Sequence, residues 1–210
     1  MVDISQMIAF AGIALLMVLT PGPNMIYLVS RSISQGKSAG LISLAGVILG
    51  FILYMVCAAL GITAFLFAVP YAYESIKILG ALYLLWLAWN AVKPNSASVF
   101  QTIDLVPDRR VKLFVMGFLT NLLNPKIAIM YLSLLPQFIQ PNHGSVFIQS
   151  ITLGIIQISI SALVNGLIVF LAGSIATFMS QKPIWIKVQK WVMGTILSAL
   201  AVRLLAEDRK

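Results

Sequence analysis

Long apolar runs alternate with short polar breaks along this chain. Runs near the 20 residues that a helix needs to cross a bilayer cover residues 4–29, 39–69, 75–92, 113–138, 146–178 and 184–205. The second and fifth are long enough to tilt, or to continue as helix beyond the hydrocarbon. All are much longer than the roughly 10-residue alternating segments of a membrane barrel. Hydrocarbon offers backbone amides no partners, so a span must satisfy its own hydrogen bonds. The pattern therefore predicts an all-α integral membrane protein of about six transmembrane helices.

Composition excludes a water-soluble alternative. Of 210 residues, 60% are hydrophobic and 10% charged, with mean hydropathy +0.98, against roughly 25% charged residues in soluble domains. Asp3 is the only charged residue before Arg31, so the first run lacks the basic start of a signal peptide and is expected to be a retained span. The formal charge of +8 would suggest nucleic acid in a soluble protein. Here the basic residues lie between spans and set topology instead.

Those basic residues alternate. Arg31 and Lys37 follow the first span, Lys93, Arg109, Arg110 and Lys112 the third, and Lys182, Lys187 and Lys190 the fifth. The second loop has Glu74 with Lys77 nearby, and the fourth has no Lys or Arg. The positive-inside rule places loops one, three and five in the cytoplasm and both termini outside; Arg209 and Lys210 oppose this at the C-terminus. Tyr71 and Tyr73 at one face and Trp86 and Trp89 at the other suit interfacial aromatic belts. Residues 93–112 form the one sizeable polar segment. They read as a cytoplasmic linker dividing a single transporter domain, 1–210, into halves 1–92 and 113–206.

With three spans in each half, the second half enters the membrane from the opposite side, the arrangement of an inverted repeat. Setting Pro21 on Pro125 also sets Tyr27 on Tyr131, Leu28 on Leu132, Gly40 on Gly144 and Gly50 on Gly154. Each half is interrupted early. Pro21, Gly22, Pro23 and Asn24 break the first span, because Pro21 cannot bond the carbonyl of Met17, nor Pro23 that of Leu19. Asn121, Asn124, Pro125 and Lys126 mark the fourth, where Pro125 frees the carbonyl of Asn121. Ten residues in from Arg31, at 1.5 Å each, is about 15 Å deep, close to the midplane. A charge such as Lys126 at that depth needs a cavity or a partner.

Paired breaks in corresponding positions of two halves point to a transporter's substrate site. Free amide N–H groups after a break attract a carboxylate, and Lys126 either strengthens that attraction or is exchanged against it. The carbonyls of Met17, Leu19 and Asn121, with the side chains of Asn24 and Asn124, suit an ammonium. Such a site matches a zwitterionic α-amino acid. No Asp or Glu lies deep in any span, so a substrate with a second cationic group finds no counter-charge, and no proton carrier stands out.

At this point the residues resemble the LysE/RhtB family of amino-acid exporters. The resemblance rests on Pro21-Gly22-Pro23-Asn24, Arg31, Gly36, Gly40, Gly46, Gly50 and Lys77. It continues through Gly80-Ala81-Leu82-Tyr83-Leu84-Leu85-Trp86-Leu87, Asn121-Leu122-Leu123-Asn124-Pro125-Lys126 and Leu135-Pro136-Gln137-Phe138. From Ile151 onward only hydrophobic character matches. The resemblance implies an inner-membrane secondary transporter exporting amino acids or related metabolites, coupled to the proton gradient. It also marks Pro21, Gly22, Pro23, Asn24, Asn124, Pro125 and Lys126 as the positions that matter. Absent deep carboxylates favour neutral substrates of the threonine, homoserine or branched-chain type; exporters of another small solute such as basic amino acids are the alternative. The expected partners are the amino acid and membrane lipid, not nucleic acid; a homo-oligomer is compatible with these residues.

Rival readings want residues the chain lacks. A membrane redox enzyme needs paired thiols, and Cys57 is alone. A metal exporter needs intramembrane carboxylate, His or Cys ligands, and His143, in a predicted external loop, is the one histidine. No nucleophilic or nucleotide-binding constellation appears, so neither enzymatic activity nor a cofactor is expected. A non-transporting membrane scaffold would explain the spans and the Gly36/Gly40 and Gly46/Gly50 spacings, but not Lys126. Gln157 and Asn165 either line a pathway or bond between helices.

Overall fold

The computed structural model describes residues 2–62, 71–93, 107–181 and 183–206. These residues are helical, without strands. Helix α1 spans Ile4–Leu19, α2 Pro23–Cys57, α3 Ala72–Val92, α4 Arg110–Leu122, α5 Pro125–Ile129, α6 Val146–Gln181 and α7 Pro183–Ala206. Both expected interruptions are present. Gly22 is extended and Pro23 is the first residue of α2; Asn124 caps α5 and Pro125 is its first residue. A first-turn proline fits both because the N–H it lacks has no intrahelical partner there. The two helix starts align Pro23 with Pro125, two residues from the register that sets Pro21 on Pro125.

Among the described residues, three stretches are long and apolar enough to cross a membrane: Pro23–Gly61, Glu74–Val92 and Val146–Phe178. A fourth forms if Arg110–Leu122 and Pro125–Phe138, bent by 49°, count as one broken span. The other apolar runs depart from plain uninterrupted spans in identifiable ways. Helix α1 has only 16 residues before its break. The loop expected around Arg31 and Lys37 shrinks to Gly36, whose φ of 85° and ψ of 169° turn an otherwise continuous α2; that backbone region is accessible essentially to glycine. Helix α7 carries Lys187, Lys190 and Arg203 within its 24 residues. The linker expected at 93–112 lies largely outside the described residues, and its last part is already helix, since α4 begins at Arg110.

After α5 the backbone widens to a π-turn over Met130–Leu134 and then tightens to a 3-10 turn over Leu135–Phe138. Pro136, which has no N–H to give the carbonyl of Leu132, sits where the spacing changes.

Helix α2 packs most closely on α4 and α6, α3 on α7, and α1 on α6. The α2–α4 crossing is built on small residues. A Cβ added to Gly46 would lie 2.9 Å from both the Phe114 carbonyl carbon and the Phe118 nitrogen, with the Phe114 oxygen nearer still. Gly117 opposes the backbone of Ser43 in the same way. Such close approach holds helices together in lipid, where no hydrophobic drive separates helix from tail. Gly46 thus serves close packing, whereas Gly36 bends the backbone. Large apolar side chains cover the outside, among them Leu79, Leu163 and Trp89, each about two-thirds exposed. This outer surface suits lipid: the chain is a membrane protein.

Candidate functional site

The two helix breaks meet around Lys126. Its backbone N–H donates to Asn124 Oδ1 at 3.1 Å, so Asn124 caps the helix that carries it. Its side chain crosses to the end of α1, where Nζ donates to the carbonyl of Met17 at 2.9 Å and to that of Thr20 at 2.5 Å. Met17 is the carbonyl that Pro21 leaves without a donor. The ammonium also sits at the negative end of the α1 dipole. Gly22 makes room for it, since a Cβ there would lie 3.1 Å from Nζ. Lys126 is only 5% exposed.

The second break is satisfied by other means. The carbonyl of Asn121, expected to be free, accepts the N–H of Asn124 at 3.0 Å. The carbonyl of Leu122 accepts from Tyr54 Oη at 2.9 Å. Two of the carbonyls expected to wait for a substrate ammonium are thus engaged within the protein, Met17 by Lys126 and Asn121 by its own turn. What stays open is the asparagine side chains. Asn24 Oδ1, both amide atoms of Asn121 and Asn124 Nδ2 are buried without hydrogen-bond partners. Each such group costs about 1–3 kcal/mol, which singles this cluster out from an ordinary helix crossing.

A small cavity of about 20 Å³ adjoins Lys126, room for a single water. Its apolar wall includes Met17, Val18, Met25, Phe51 and Met130; Asn24, Lys126, Gln157, Ser161 and Asn165 supply the polar side. Gln157 and Asn165, ambiguous in the sequence, therefore face the breaks. They belong to a chain of bonds: Tyr131 Oη donates to Gln157 Oε1 at 2.7 Å, Gln157 Nε2 to Ser161 Oγ at 2.8 Å, and Asn165 Nδ2 to the Ser161 carbonyl at 2.8 Å. Tyr131 also stacks on Tyr54, with ring centroids 5.4 Å apart. Sequence reading passed over Ser161 and met Tyr131 only as a repeat match, not as part of the site. The four-residue spacing of 157, 161 and 165 on one helix face, and the repeat match of Tyr131 to Tyr27, were the available signals.

The structure thus brings Gly22, Asn24, Asn124 and Lys126 together with the prolines that create the breaks. Asn121 lies one turn back on α4, packed on the backbone of Gly50, whose added Cβ would lie 2.6 Å from Asn121 Oδ1.

A second polar cluster ties the start of α4 to α2. Arg31 bonds Asp108 Oδ2 at 2.5 Å, Lys112 bonds Asp108 Oδ1 at 2.6 Å, and the Asp108 N–H donates to Gln35 Oε1 at 2.9 Å. The hydrogen bond from Lys112, with further help from Gln35 and Arg31, holds the Asp108 carboxyl below its ordinary range. Tyr27 Oη donates to the carbonyl of Leu113 at 3.0 Å beside this cluster. Elsewhere Glu74 and Lys77, one turn apart, pair at 3.3 Å. Among the described residues no group of His, Cys, Asp and Glu could hold a metal ion.

Comparison with known proteins fits this geometry. The chain is 28% identical to a leucine efflux protein of Enterobacter sp. (strain 638) over 91% of its length and 90% of the relative. It is 28% identical, with the same coverage, to a leucine efflux protein of Salmonella typhimurium. It is 30% identical to the uncharacterized membrane protein YrhP of Bacillus subtilis over 65% of the chain and 69% of the relative. No solved structure matches. The model of the LysE type translocator family matches residues 15–208, well past Ile151, where motif resemblance fades. This chain belongs to the LysE type translocators.

Proposed function

We propose that the protein is a secondary exporter of neutral amino acids, of the branched-chain type first, in the bacterial inner membrane. The observation that carries this reading is the buried Lys126 ammonium joining two broken helices beside a cavity with one apolar and one amide-lined side. The leucine efflux relatives support the substrate class. An aliphatic side chain suits Met17, Val18, Phe51 and Met130, while the zwitterionic end suits the breaks. The N–H groups at the head of α2 attract a carboxylate; the carbonyls ending α1 and Asn24 Oδ1 accept an ammonium. A cavity of about 20 Å³ is too small for an amino acid, so transport requires the site to open.

Six spans arranged as two inverted halves, with both termini outside, fit this reading. The Arg31–Asp108–Lys112 cluster then lies at the cytoplasmic face, and proton influx drives export. The test is efflux from cells expressing the protein, challenged with a panel of amino acids and dipeptides beside a Lys126→Ala variant of equal expression. Selective loss of a neutral amino acid, abolished in the variant, supports the exporter. Efflux of none, or efflux unchanged in the variant, favours the scaffold; preference for arginine over neutral amino acids overturns the substrate class.

A further inference from the structure

We infer that the carbonyls of Met17 and Thr20 form a single cation seat, held in turn by the Lys126 ammonium and the α-ammonium of the substrate, and that this alternation couples export to a proton. The inference rests on the exporter reading above. Its starting point is that the protein supplies the cation for its own broken helix. Two carbonyls converge on Nζ, and a seat of that size takes one ammonium.

No carboxylate balances Lys126 among the described residues. Asp108 is spent on Arg31 and Lys112, and Glu74 on Lys77. Asp3 precedes α1, at the far end of that helix from Thr20. No other titratable side chain lines the cavity. The nearby phenols are engaged, Tyr54 with the Leu122 carbonyl and Tyr131 with Gln157.

Charge then decides what happens on loading. With the site empty, the α1 carbonyls need a cation, and protonated Lys126 is the one present. A zwitterion brings its own. Once the substrate ammonium occupies the seat, a Lys126 still protonated would be a buried ammonium displaced from both of its carbonyl acceptors, which is costly. Release of one proton from Nζ to cytoplasmic water leaves the loaded site neutral. After the substrate departs outside, Nζ takes one proton from external water and reseats on Met17 and Thr20. Each cycle moves one zwitterion out and one proton in. Substrate and proton cannot hold the seat together, which is the exclusion an antiporter needs. The unpartnered Asn24 Oδ1 beside the cavity gives the incoming ammonium a third acceptor.

The decisive experiment uses the full chain, purified and first shown to exchange labelled leucine for leucine across vesicles with no pH gradient. Leucine is then added to the detergent-solubilised protein in weakly buffered solution near neutral pH, and released protons are counted against bound leucine. The expected result is about one proton per leucine bound, with none from Lys126→Gln. Exchange without proton release means that Lys126 stays charged against the carboxylate, and overturns the shared seat. So does a Lys126→Gln protein that binds leucine and still releases protons. Absence of exchange in the unsubstituted protein refutes the exporter reading, and this inference with it.

Discussion

Gly46→Ala tests how the site is held, because it adds one methyl where α2 and α4 touch backbone to backbone. The new Cβ would lie 2.9 Å from the Phe114 carbonyl carbon and the Phe118 nitrogen, where nonbonded carbon atoms prefer about 3.5–4.0 Å. Both neighbours are main chain, so no side-chain rotation relieves the clash, and the helices must part by about 1 Å. Overpacking of this kind costs about 1–3 kcal/mol, here toward the upper end because backbone must move. Alanine returns up to about 1 kcal/mol of helix propensity, leaving a net loss of about 2 kcal/mol. For a chain of this length that lowers the thermal midpoint by about 4–8 °C. The same substitution at Gly12 or Gly173, where nothing lies within 4 Å of the added Cβ, has only the propensity gain and leaves the midpoint equal or higher. The assay is thermal unfolding of the three variants in one detergent. A Gly46→Ala protein as stable as Gly12→Ala would refute the claim that this crossing depends on the missing methyl. Leucine exchange should fall with Gly46→Ala as well, because α4 positions Asn121 and the break that carries Lys126.

Tyr54→Phe removes the donor to the Leu122 carbonyl without changing ring size. It should destabilise by about 0.5–1.5 kcal/mol, the net worth of one part-buried hydrogen bond, read by the same thermal assay. Gly36→Ala forces a side chain into a backbone region that disfavours it and should cost on the order of 1–3 kcal/mol, although space is open there. Asp108→Asn should loosen the link between α2 and α4, seen as a lower thermal midpoint. The sign with pH follows from the lowered folded-state value: the carboxylate contributes above its ordinary 3.8 and is lost only as pH falls through the lower folded value. The difference between Asp108→Asn and the unsubstituted protein should therefore be constant from pH 5 to 8 and vanish in strong acid.

Local signals carried the sequence reading far. Apolar runs set helix type, and residues 146–178 and 184–205 anticipated α6 and α7 to within three residues. Proline chemistry located both breaks, because a missing N–H acts within one turn. What stayed hidden is long-range. Lys126 reaches carbonyls 106 and 109 positions away, and Tyr54 caps a carbonyl 68 positions away; no window of sequence shows that pairing. Hydropathy also misread the polar stretch around Arg31 as a loop. Ser32 and Ser34 turn their hydroxyls onto carbonyls one turn back, so the stretch stays helical until Gly36.

The reach of Lys126 also bears on how the protein is made. Helix α1 is made early in synthesis, yet the donor that finishes its C-terminal end belongs to a segment that emerges over a hundred residues later. Until then two carbonyls at the end of α1 lack the donor that closes them in the folded protein, and the nascent first half remains provisional. Insertion of the fourth apolar run thus completes the first helix as well as its own. Residues 1–92 expressed alone should insert and then be degraded, and co-expression with residues 107–210 should rescue them.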